Sequence, residues 1–119
     1  YLSDVTPEGK SVYVTEGVFR ALHRCPGKNP QNIPTTGPSH SFLRDDAALL
    51  TPGAIAQVSF EMLPTSYLFR TGHSVRISIS LADADHFTRI PFGRVPELCL
   101  YYSSNKPTRF VLPVVDSND

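Results

Sequence analysis

Ser74-Val75-Arg76-Ile77-Ser78-Ile79-Ser80-Leu81 alternates polar and apolar side chains without a slip. Successive side chains of a strand point to opposite faces, so Val75, Ile77, Ile79 and Leu81 share one apolar face. Arg76 and the serines share a wetter one. The run predicts a half-buried β-strand. Gly72 stands just before it, in Thr71-Gly72-His73. A residue without a Cβ can take a backbone angle there that others avoid. His73 has the parity of Val75 and Ile77, so it is expected on the core face as a hydrogen-bonded imidazole. Arg76, on the other face, is expected to meet a carboxylate across the sheet or on another domain.

Further strands are expected on either side. Residues 55–62, Ile55-Ala56-Gln57-Val58-Ser59-Phe60-Glu61-Met62, alternate with one slip near Ala56. Ser11-Val12-Tyr13-Val14-Thr15 is short and β-branched. Residues 97–102 and 109–115 add two candidates, and Pro113 belongs at an edge or bulge because it cannot donate to a ladder. Thr6-Pro7-Glu8-Gly9 reads as a turn joining residues 1–5 to 11–15 in a hairpin. Thr51-Pro52-Gly53 and Asn105-Lys106-Pro107 are further turns. Residues 16–22 fit a bent strand or a short helical turn equally. Residues 25–46 and 83–95 read as long surface excursions. With 11 prolines and seven glycines among 119 residues, long helices have little room. The expected class is all-β, an antiparallel β-sandwich in a single domain over residues 1–119.

Lysine plus arginine total 11, as do aspartate plus glutamate, so the formal charge is zero. Nothing in that balance favours nucleic acid or an anionic membrane as partner. No apolar run reaches the roughly 20 residues that span a bilayer. Residues 1–10 carry no signal-peptide pattern, and a cytoplasmic address is the working expectation. Cys25 and Cys99 lack zinc-site spacing and are expected as reduced, buried thiols.

Chemistry-bearing patterns are sparse. A serine hydrolase of the α/β type signals its nucleophile by G-x-S-x-G, which does not occur. Gly37-Pro38-Ser39-His40 comes nearest but lacks the second glycine. Ser39 is therefore expected as a solvated loop serine, and no catalytic residue is assigned. Asp83, Asp85 and His86 form the tightest polar cluster. It is expected as a turn whose aspartates bind their own backbone, without a metal. Glu16 and Arg20 are expected to form a structural ion pair. Tyr101 and Tyr102 point to opposite faces if both lie in a strand, so no more than one ring can be core.

Taken in order, these strings resemble a known domain. Leu2-Ser3-Asp4-Val5-Thr6-Pro7-Glu8-Gly9 resembles the L-x-D-V-x-P-D-G hairpin of the C-terminal non-catalytic domain of X-Pro dipeptidyl-peptidase and cocaine-esterase-like serine hydrolases. Glu16-Gly17-Val18-Phe19-Arg20-Ala21 is similar to its E-G-x-x-R-A segment. Leu50-Thr51-Pro52-Gly53, with Val58 to Thr65, looks like its L-x-P-G strand. Phe69-Arg70-Thr71-Gly72-His73 matches its F-x-x-G-H, although Ser74 replaces the usual basic residue. Arg109-Phe110-Val111-Leu112-Pro113-Val114 resembles its closing strand. Residues 83–91 depart from the family's D-F-P-R-x-x-R-N loop.

The resemblance implies a galactose-binding-like jelly roll of which this chain is the C-terminal part. It also implies a parent serine hydrolase, a dipeptidyl-peptidase or acyl esterase, whose catalytic residues lie in an α/β-hydrolase domain. That domain is the expected partner, with residues 26–38 reaching toward it. The chain itself would be non-catalytic and would wall the active-site cleft. Arg20, Gly72, His73 and Arg76 are the structural or interface candidates, and no cofactor is expected. Unpaired sheet edges recruit other chains, so a homodimer through an exposed edge is also expected. The alternative is a stand-alone carbohydrate-binding module presenting Tyr101 or Tyr102.

Overall fold

A computed structural model of the chain describes residues 1–26, 37–88, 92–93 and 96–115. The chain divides into two compact units, Tyr1–Ile79 and Ser80–Asp119. The first carries a three-stranded antiparallel sheet of β1 (Leu2–Val5), β2 (Ser11–Thr15) and β3 (Ser74–Ile77), in the order β2-β1-β3. The second carries a two-stranded ribbon of β4 (Tyr102–Ser103) and β5 (Lys106–Pro107). The described residues contain no α-helix, only 3-10 turns at Ala21–His23 and Arg44–Asp46. The protein is thus all-β and antiparallel.

The β1–β2 hairpin closes where Thr6-Pro7-Glu8-Gly9 predicts. The Gly9 amide donates to the Thr6 carbonyl at 2.8 Å and the Thr6 amide to Lys10 at 2.9 Å. Gly9 takes φ +85, the left-handed residue that ends a three-residue hairpin loop. β3 forms where its alternation predicts and pairs with β1, Leu2 opposite Ile77 and Asp4 opposite Val75. Tyr1 extends the ladder, its amine and carbonyl each bonding Ser78 at 2.9 Å. Of residues 16–22, 16–20 are irregular and the 3-10 turn begins only at Ala21. Arg24 fixes it by donating to the carbonyls of Ala21, Ala48 and Leu49.

Three expected strands do not form as ladders. Residues 55–62 run without a sheet partner, although the Leu63 amide reaches the Glu16 carbonyl at 2.8 Å. Residues 109–115 form no ladder, and residues 97–102 pair only through Tyr102, in the ribbon of Tyr102–Ser103 with Lys106–Pro107 around a turn at Ser104-Asn105 rather than Asn105-Lys106-Pro107. Alternation creates two faces, but a strand also needs a neighbour whose N–H and C=O groups fall in line.

The core is small. Among the described residues, Leu2 and Val5 are the buried apolar ones, and Asp4, Thr15 and Ser41 are the buried polar ones. A satellite of rings surrounds Phe19, which stacks on Phe60 at 5.5 Å and contacts His40 at 4.6 Å. Val75, Ile77, Ile79 and Leu81, expected as a core face, all stand exposed. Cys25 is half-buried and Cys99 exposed, both as free thiols, so Cys99 is not the buried residue expected.

Candidate functional site

Asp4 is the most buried polar residue described, 2% exposed, and it sits on the central strand. Register explains what meets it. Residues directly opposite across a ladder share a face, so Asp4 and Leu2 lie on the side of Val75 and Ile77. His73 has that parity too and precedes the strand by one residue. Its Nδ1–H donates to the Asp4 carboxylate, 2.9 Å from each oxygen. The Tyr67 hydroxyl donates to Oδ2 at 2.8 Å. One buried carboxylate therefore accepts from two segments far along the chain.

Gly72 makes the approach of His73 sharp enough. It takes φ +84, in the left-handed region, and the His73 amide closes the turn on the Arg70 carbonyl at 3.0 Å. Burial alone would raise the pKa of Asp4, but the hydrogen bonds from His73 and Tyr67 and the charges of His73 and Arg70 outweigh it. The carboxyl is held below its ordinary 3.8. The same bond, with burial, pushes the Tyr67 hydroxyl up from 10.0. Glu8 is lowered from 4.5, chiefly by a hydrogen bond from Thr6, with a smaller contribution from the charge of His73. Chemically the arrangement holds rather than reacts. It ties the β1 strand, the Tyr67 segment and the turn into β3 to a single anion.

Gly72 and His73 thus stand within this network. Arg76 is exposed on the opposite face and makes no ion pair among the described residues. Arg20 is exposed too. Its expected ion pair with Glu16 does not form; instead its carbonyl starts the 3-10 turn by accepting from His23 at 2.9 Å. Residues 27–36, most of the stretch expected to reach a partner domain, lie outside the described residues. Ser39 is half-buried, and the neighbouring His40 Nε2 donates to the Ser59 carbonyl at 2.8 Å. Asp83 binds its own turn, accepting from the amides of Asp85 and His86 at 3.1 and 3.3 Å and from the His86 ring at 3.1 Å. Tyr101 and Tyr102 are both exposed, so neither ring is core.

Asp4 matches a motif position without its role being legible there, and no site role for Tyr67 or Arg24 follows from the sequence. Asp4 and His73 lie 69 residues apart, and only the β1–β3 register joins them. The sole local signal is an aspartate that shares the parity of Leu2 in β1.

Together the fold and this network define an antiparallel β module locked around a buried acid and open along one apolar face. Residues 1–107 match the family model described as the X-Pro dipeptidyl-peptidase C-terminal non-catalytic domain. The chain belongs to that family. It is 44% identical over 115 residues to proteins of Mycobacterium bovis and Mycobacterium tuberculosis that are named as serine esterases. The match covers 97% of this chain and 18% of each relative. It is also 24% identical over 126 residues to a cocaine esterase of a Rhodococcus species, covering 96% of this chain and 19% of the relative. The chain therefore spans under a fifth of the length of these curated relatives. No solved structure matches it.

Proposed function

We propose that this chain is the C-terminal accessory module of a serine hydrolase, packing on an α/β-hydrolase domain and narrowing its active-site cleft. In this reading residues 1–119 form part of one β-sandwich, and bond making belongs to the partner domain. The observation that carries the proposal is the family match over residues 1–107, in a chain that spans 18% of relatives named as serine esterases. The surface supports it. Val75, Ile77, Ile79 and Leu81 alternate as a buried face should, yet stand 39–54% exposed. Apolar surface of that extent marks a contact site. A wall of this kind excludes water and shapes the pocket around the acyl or peptidyl group, while nucleophilic serine chemistry proceeds elsewhere.

The test is complementation in trans. A hydrolase of this family lacking its C-terminal region is mixed with this chain. A one-to-one complex by sedimentation, with recovery of short acyl-ester or X-Pro amide hydrolysis, is expected. A hydrolase fully active without the region and unable to bind the chain would contradict the proposal.

A further inference from the structure

His73 uses one ring nitrogen on Asp4 and keeps the other. Nδ1–H donates to the buried carboxylate, so the neutral ring carries its proton on Nδ1 and a bare lone pair on Nε2. Nε2 has no partner among the described residues, yet it is not a buried nitrogen. The buried ring nitrogens left without a partner there are Nδ1 of His23 and Nδ1 of His40. The His73 side chain keeps 17% of its surface open, against 3% for Asp4. An anion fixed on the central strand thus sets both the orientation of the ring and its tautomer. The result is a preset hydrogen-bond acceptor at the surface.

Place and charge state what it accepts from. His73 shares the face of Val75 and Ile77, which follow it and stand exposed. That face carries the apolar stripe proposed to meet the hydrolase domain. Around the ring, the carboxylates of Asp4 and Glu8 and the guanidinium of Arg70 act on one another and on His73, two negative charges against one positive. A carboxylate brought to Nε2 has no proton to give and meets like charge. A neutral donor satisfies Nε2 alone. A cationic donor satisfies Nε2 and the charge in excess together. We infer that Nε2 of His73 accepts a hydrogen bond from a basic side chain, lysine or arginine, of the α/β-hydrolase domain, with the exposed Glu8 at the rim of that contact. This rests on the accessory role and adds the group that sets the docking position. Apolar contact tolerates sliding, whereas one directional bond at the end of the stripe selects a register.

The chain, isotope-labelled in its histidine nitrogens, is mixed with a family hydrolase lacking its C-terminal region, at about pH 8, above the ordinary imidazole range. Ring spectra of the free chain should show His73 with Nδ1 protonated and Nε2 bare. In the complex the Nε2 resonance should shift upfield as it accepts a proton donor. His73→Asn keeps an N–H for Asp4 and deletes Nε2, and should weaken binding about tenfold, the loss of one hydrogen bond to a charged group. Glu8→Gln, on the exposed turn, should weaken binding less and reduce its salt dependence. A free ring protonated on Nε2, an Nε2 resonance unmoved in the complex, or a His73→Asn chain that binds as tightly as the parent would each overturn the inference and leave the accessory role standing. The absence of any complex would overturn both.

Discussion

Asp4 accepts from Tyr67 and His73 at once, so Asp4→Asn sets an amide donor against two donors already in place. A buried polar group left without a partner costs more than the bond it replaced. The variant is expected to melt several degrees below the parent chain in a thermal scan followed by circular dichroism. Acid gives an independent check. The folded pKa of Asp4 lies below the ordinary 3.8, so its contribution is present in full above that value. It is lost as pH falls through the lower folded value. The parent chain should lose stability over that acidic window, and Asp4→Asn should lose less across it. Equal slopes for the two chains would contradict the assignment. Gly72→Ala belongs to the same scale. The added Cβ meets Pro7 Cγ at an ordinary 3.7 Å, so space is not the obstacle. The left-handed φ is, and a loss of about 1–2 kcal/mol in denaturant unfolding is expected.

Among the elements, those legible in the sequence are the ones whose instructions are local. The β1–β2 hairpin is written in the turn Thr6-Pro7-Glu8-Gly9, and β3 in a run of alternation that begins after a turn glycine. Residues 55–62 carry an alternation nearly as good and form no ladder. The difference lies in the neighbour. β3 has β1 beside it in register, whereas Phe60 stacks its ring on Phe19 and the Ser59 carbonyl accepts from His40. The Asp4–His73–Tyr67 network was legible only in half. Parity places His73 on the face of Val75, but its acceptor follows from a register between segments 69 residues apart. Glu16 and Arg20 show the converse, an ion pair plausible from spacing that the 3-10 turn at Ala21–His23 does not make.

At the scale of the whole molecule, large apolar side chains stand exposed through much of the described chain, Val75, Ile77, Ile79 and Leu81 among them. Exposed apolar surface of that kind marks a contact site, and the accessory role proposed above gives it a hydrolase domain to meet. The central claim is that this chain shapes hydrolysis without performing it, and an assay of the purified chain with a short acyl ester and an X-Pro amide tests that most directly. The account predicts turnover no faster than buffer, beside clear turnover by a full-length hydrolase that carries this region. Hydrolysis by the chain alone, abolished by His73→Ala in a variant that still folds, would contradict it.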